Sequence, residues 1–99
     1  MGLSENVIVD MIHIQAVSGT ISFTYTTDGT NTSPIGALGF IIATDGALKI
    51  RLRSGVTHEF PSGTFNTGEF IPIAFDRIQA VTGSADWYAC FDRKVNRVG

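Results

Sequence analysis

Cysteine and histidine are scarce in this 99-residue chain, and their scarcity narrows the chemistry that it can perform. The lone Cys90 excludes an internal disulfide, and neither it nor His13 and His58 shows metal-ligand spacing. The sequence also lacks a nucleophile elbow, a zinc-protease motif and a phosphate-binding loop. We therefore expect no enzyme, with no catalytic residue, no metal and no cofactor. Cys90 is expected to pack as a small core residue.

Basic residues are absent from the first half of the chain. Up to Leu48 the only charged side chains are four acids, whereas seven basic and five acidic residues follow from Lys49 onward. The formal net charge of −2 indicates no general attraction to nucleic acid or to an anionic membrane. The asymmetry has two interpretations: chance placement of few charges, or a dipolar subunit that contacts its neighbours head to tail.

Long hydrophobic runs are also missing. The longest candidate, Val7–Val17, is too short to span a membrane and is interrupted by Asp10 and His13. Because no signal peptide is visible, we expect synthesis in a cytoplasm, that of a bacterial host under the interpretation developed below.

What the chain does contain is strand-forming sequence. Val7–Val17 is rich in β-branched residues and apolar on both alternating faces. Such a strand lies either centrally between two layers or half buried against a partner. One face carries Ile8, Ile12, Ile14 and Ala16, and the other carries Val7, Val9, Met11 and Val17.

Turn residues divide the remainder into short strands. Asp45-Gly46 is expected to form a tight hairpin turn with positive φ angles, and Ser54-Gly55 a second one. The polar stretch Asp28–Gly36 predicts an exposed loop. Phe70–Val81 predicts one long strand, or two with a bend, and Pro72 places it at a sheet edge or a bulge.

These patterns predict an all-β fold without a convincing helix. We expect an antiparallel β-sandwich or jelly roll of seven to eight short strands. The expected domain spans residues 7–92, with an N-terminal arm over 1–6 and a basic C-terminal tail over 93–99.

Two surface groups invite functional interpretations. Lys49, Arg51 and Arg53 form a basic row on one strand face, which is more typical of a solvated face than of a nucleic-acid platform. Trp87 and Tyr88 suggest a sugar-stacking platform, but strict alternation turns one of these two side chains inward.

Residues from about Leu38 to Phe91 resemble small virion proteins of tailed bacteriophages and gene transfer agents, of the head spike-base or capsid-accessory type. The pieces that carry the resemblance are Gly39-Phe40-Ile41-Ile42, Asp45-Gly46-Ala47-Leu48, Phe65, Gly68-Glu69-Phe70-Ile71-Pro72-Ile73, Arg77-Ile78 and Val81-Thr82-Gly83-Ser84-Ala85. The sequence departs from that pattern in its heavier ending, Trp87–Phe91, and in its extension over Asp92–Gly99.

The resemblance implies a virion structural protein, either a capsid decoration protein or the base of a head spike or fibre. A tail or neck component is one alternative, and a small carbohydrate-binding β-sandwich module is another. The implied partners are copies of the chain itself and other virion proteins, such as major capsid or fibre proteins, with no nucleic acid and no membrane. The expected interface residues are Val7, Val9, Met11, Lys49, Arg51 and Arg53.

Overall fold

The chain folds into two antiparallel β-sheets packed face to face, and the computed structural model describes residues 7–15, 17, 19–79 and 85–99. These residues contain no helix. The strands are β1 (Asp10–Ile14), β2 (Thr20–Asp28), β3 (Asn31–Pro34), β4 (Gly39–Thr44), β5 (Leu48–Leu52), β6 (Thr57–Phe60), β7 (Phe70–Ile71), β8 (Phe75–Gln79), β9 (Asp86–Phe91) and β10 (Asn96–Val98). The predicted sandwich is confirmed, with ten strands instead of seven or eight.

Most connections between consecutive strands lead from one sheet to the other. The four-stranded sheet has the order β1-β9-β4-β7, and the six-stranded sheet has the order β10-β2-β8-β5-β6, with β3 paired to β2. Two pairs of consecutive strands, β2–β3 and β5–β6, are hairpins within one sheet. Every other step from one strand to the next changes sheet, so each sheet is assembled from segments distant in sequence.

Aromatic side chains fill the space between the sheets. Trp87 from β9 lies with its ring centroid 5.3 Å from that of Phe40 in β4 and 5.6 Å from that of Phe75 in β8. Phe23 and Phe91 form a second contact across the interior, at 4.8 Å. All five side chains are fully buried, and edge-on ring pairs at these distances add to the free energy of apolar burial.

Two local predictions require correction, and a third is confirmed. The polar stretch Asp28–Gly36 is not a loop throughout, because Asn31–Pro34 forms β3 and pairs with β2. Asp45-Gly46 is not a hairpin turn: it carries the chain from β4 in one sheet to β5 in the other, and Gly46 is not among the glycines with positive φ. The second expected turn is confirmed, since Gly55 has a φ of 96° and its N–H donates to the Leu52 carbonyl at 2.8 Å.

Other expectations concern the chain ends and the long apolar segment. Residues 93–99, expected as a basic tail, include β10, which pairs with β2, and Val95, which is buried in the core. Phe70–Gln79 forms two strands in different sheets, and Pro72 follows β7, an edge strand. The expected arm over 1–6 lies outside the described residues.

Asp45 does not form the predicted hairpin turn, but its side chain has a structural role. Its carboxylate accepts hydrogen bonds from the Gly46 and Gly63 N–H groups, at 2.9 and 3.1 Å, and from the Ser62 hydroxyl, at 3.1 Å. These bonds, led by that from Gly63, hold the pKa of Asp45 below its ordinary value. The side chain thus fastens the loop after β6 to the crossing between the sheets.

The aromatic contacts predict a stability difference between two phenylalanines. Replacing buried Phe40 with Ala removes a ring that contacts Trp87 and Phe75, and it should lower the free energy of unfolding by about 3–5 kcal/mol. Phe70→Ala, at a partly exposed position, serves as the control and should cost about 1 kcal/mol. Urea unfolding measures both, and equal losses would contradict the packing described.

Asp45 predicts a pH-dependent stability. Because folding lowers its pKa, its contribution is present above the ordinary Asp value of 3.8 and disappears as the pH falls through the lower folded value. Asp45→Asn should therefore lower the melting temperature at neutral pH, and the difference from wild type should vanish in acid. Asp28→Asn makes the same charge change at an exposed position in β2. Equal effects of the two substitutions at neutral pH would contradict the role assigned to Asp45.

Candidate functional site

The outer face of the four-stranded sheet carries a group of apolar side chains, three of which, Val9, Met11 and Phe70, are exposed. We use the name outer face for Val9, Met11 and His13 along β1 and its N-terminal end, Tyr88 and Cys90 of β9, Ile41 of β4, and Phe70 of β7. Strand register places His13, Tyr88, Ile41 and Phe70 in one row across the sheet. Val9 is 61% exposed and Met11 42%, and Val7, just upstream, is 54% exposed.

Gly39 gives this face its shape. A Cβ at this position would overlap the Ile71 carbonyl oxygen and lie 2.8 Å from the Phe70 ring, so the absence of a side chain lets that ring lie across β4. Gly39 is directly opposite Cys90, which is opposite Met11 on β1. An apolar stripe therefore runs from Met11 over Cys90 to Phe70.

Cys90 lies at the bottom of this stripe and is fully buried, as expected of a small packing residue. Burial raises the pKa of its thiol above the ordinary value of 9.0. The side chain therefore stays protonated at neutral pH, and the thiolate needed for nucleophilic chemistry is not formed.

A polar corner lies at the edge of the outer face, where β9 begins with Asp86. The His13 ring stacks on Tyr88 with a centroid distance of 4.7 Å, and its Nε2 contacts the Asp86 carboxylate. Both side chains of this pair are partly exposed. The His13 ring covers one face of the Tyr88 ring, which is only partly buried.

A second surface feature is a groove of about 440 Å³ at one end of the sandwich. It lies where the β3–β4 connection passes the end of β5 and the residues that follow β9. The residues lining it are Tyr25, Pro34, Ile35, Gly36, Leu38, Arg53, Asp76, Asp92 and Arg93.

Two arginine–aspartate pairs organise this groove. Arg51 donates to Asp76 from Nε and Nη2 at 2.8 and 3.0 Å, and Arg93 donates to Asp92 at 3.0 and 3.4 Å. The Arg93 guanidinium also lies 4.8 Å from the centroid of the Tyr25 ring. The bond from Arg93 lowers the pKa of Asp92, and the bond to Asp76 raises that of Arg51, so these groups are charged at neutral pH.

A bulge in β8 aims Asp76 toward Arg51. Arg51 is opposite Arg77 and Leu52 is opposite Phe75, so Asp76 is the extra residue between two paired positions. Bulges re-aim side chains in this way. The sequence shows an acid before Arg77 but gives no sign of which guanidinium that acid meets.

The predicted interface residues fall into two separate groups. Val7, Val9 and Met11 lie on or beside the outer face. Lys49 and Arg51 point away from the core on β5 in the other sheet, and Arg53 follows that strand and lines the groove. The two groups do not form one surface. His58 is exposed on β6, and its ring stacks on that of Phe60 with a centroid distance of 5.9 Å.

The groove is the feature that sequence reasoning missed. Its residues come from five separate segments, and none of them forms a recognisable motif. The one available signal was the adjacent Asp92-Arg93 pair directly after an aromatic strand. From the sequence alone, such a pair is equally compatible with a frayed tail.

Comparisons of the chain with protein-family models, with curated proteins and with solved structures found no match. Over the residues that the structure describes, no three His, Cys, Asp or Glu side chains are grouped closely enough to hold a metal ion. The same residues include no helix long and apolar enough to cross a membrane.

Burial of Trp87 predicts a spectroscopic signature. This only tryptophan of the chain is 1% exposed, so its fluorescence should be blue-shifted and poorly quenched by acrylamide. The denatured protein provides the fully exposed reference. A red-shifted, freely quenched emission that responds to an added glycan would contradict this placement and restore Trp87 as a sugar platform.

Proposed function

We propose that this chain is a non-enzymatic structural subunit of a tailed-phage-like virion, most simply a capsid decoration protein or the base of a head spike or fibre. It acts as a homo-oligomer bound to other virion proteins. The observation that supports this proposal is the exposed apolar outer face with Val9, Met11 and Phe70. The resemblance over Leu38–Phe91 is the reason for proposing a tailed-phage-like virion as the particle.

An exposed apolar face on a sheet favours a protein partner. Apolar edge strands that remain exposed invite aggregation, and natural proteins cover them. β1 is an edge strand of its sheet, and its apolar side chains continue across Cys90 to Phe70. The proposed occupant of this face is the same face of a second copy, because a two-fold contact joins identical patches.

Asp10 favours a contact through the face rather than through the strand edge. Its carboxylate accepts hydrogen bonds from the Met11 N–H at 2.9 Å and from the Val95 N–H at 3.0 Å. The charge beside the backbone of β1 opposes the addition of another strand there. The side chains of the outer face remain available, with the His13–Asp86 pair as a polar rim.

The alternatives differ in what they require of the surface. A tail or neck component would use the same outer face and differs only in its neighbours. A carbohydrate-binding module would have to stack its sugar on Tyr88 without Trp87, because Trp87 is buried and the His13 ring covers one face of Tyr88.

The proposal predicts that charge on the outer face prevents association without unfolding the chain. Val9→Asp and Met11→Asp place a carboxylate on exposed positions, so the thermal melts of the monomers should stay close to that of wild type. A charge desolvated at the contact costs several kcal/mol, so the association constant should fall by roughly 100-fold or more. Sedimentation velocity over a concentration series measures this.

A matched control is Val56→Asp, which makes the same change at a position that is 52% exposed in the β5–β6 turn of the other sheet. Its association should equal that of wild type. A wild-type chain that stays monomeric at high concentration and never binds particles would overturn the proposal, as would equal loss of association in all three variants.

A further inference from the structure

Arg53 lines the groove, and its guanidinium has no ionic partner among the described residues. Arg51 and Arg93 each bind an aspartate through two nitrogens. The Arg53 guanidinium makes no hydrogen bond or ion pair with the residues that the structure describes, and only the backbone N–H of Arg53 is bonded, to the Ala74 carbonyl at 3.3 Å. Gly36 allows Arg53 to lie in the groove, because a Cβ at position 36 would come within 2.9 Å of the Arg53 Cδ. An arginine offers a planar set of donors that matches a carboxylate.

Asp76 and Asp92 supply acceptors in the same groove. Each carboxylate has about four lone-pair directions, and its arginine uses two of them. The arginines also fix the orientation of both carboxylates, so little side-chain freedom is lost when a ligand binds. Outward-facing carboxylate oxygens of this kind accept hydrogen bonds from ligand hydroxyl groups.

The third element of the groove is apolar. Ile35 and Leu38 form part of one wall, and Tyr25 is held in place by the Arg93 guanidinium. The volume of about 440 Å³ lies within the range of small-molecule sites, about 300–1,000 Å³. A ligand that satisfies all three elements has a carboxylate, several hydroxyl groups and an apolar ring face.

We propose that this groove binds an acidic saccharide, a sugar ring carrying a carboxylate, with Arg53 as the carboxylate-binding residue and Asp76 and Asp92 as acceptors for its hydroxyl groups. A neutral sugar would leave Arg53 without a counter-charge. A simple carboxylate would leave the aspartate oxygens without donors. A phosphate would bring two negative charges beside the same two aspartates, which disfavours it.

The test is a titration of the isotopically labelled full-length chain followed by NMR, with glucuronate, glucose and acetate as probes. Glucuronate should give saturable shifts at the amides of residues 35–38, 53, 76, 92 and 93. Glucose and acetate should each bind at least roughly tenfold more weakly, because each lacks one set of contacts.

The decisive variant is Arg53→Gln, which removes the free guanidinium at an exposed position and should weaken glucuronate binding by roughly tenfold or more. Lys49→Gln is the matched control, since it removes a positive charge from β5 outside the groove and should leave binding unchanged. Glucose affinity should stay the same in both variants.

Three results would overturn the proposal. The first is the absence of saturable shifts with glucuronate. The second is equal affinity for glucuronate and acetate, which would assign the groove to any carboxylate, including an acidic side chain of another protein. The third is unchanged glucuronate binding in Arg53→Gln. None of these measurements depends on self-association through the outer face.

Discussion

The contact of Trp87 with Phe40 and Phe75 is the constraint on which the rest of the structure depends. Two of these rings belong to the four-stranded sheet and the third belongs to the six-stranded sheet, so the cluster joins the layers. Phe65, from the loop after β6, closes it with a ring 5.3 Å from Phe40. Large rings packed edge to face resist sliding, and they thereby fix which side of each strand faces outward.

Because the chain passes repeatedly from one sheet to the other, residues that are distant in sequence come together at the surface. The connection over residues 35–38 runs from β3 to β4 and passes Arg53 at the end of β5, while Asp92 and Arg93 follow β9 on the way to β10. These two crossings meet the C-terminal end of β5 at one end of the sandwich and form most of the groove. The outer face shares no residue with it, so an assembly built through one surface leaves the other free.

The sequence by itself determined the class of fold and the direction of many side chains. Alternation in Leu48–Leu52 separates buried Leu48 and Ile50 from outward Lys49 and Arg51, as found. The two-sided apolar pattern of Val7–Val17 predicted a strand that lies either centrally between two layers or half buried against a partner. The structure leaves Val9 and Met11 exposed on β1 and its N-terminal end. Such patterns are local, since side chains alternate along any strand.

Only the tertiary structure decided which strands are neighbours and what their residues form together. Asp45-Gly46 has the composition of a hairpin turn, yet packing of β4 and β5 in opposite sheets makes it a crossing held by Asp45. The Arg51–Asp76 pair depends on a bulge in β8, and the position of Arg53 depends on Gly36 in another segment. Contacts between distant segments follow from burial of the shared core, which no short stretch of sequence specifies.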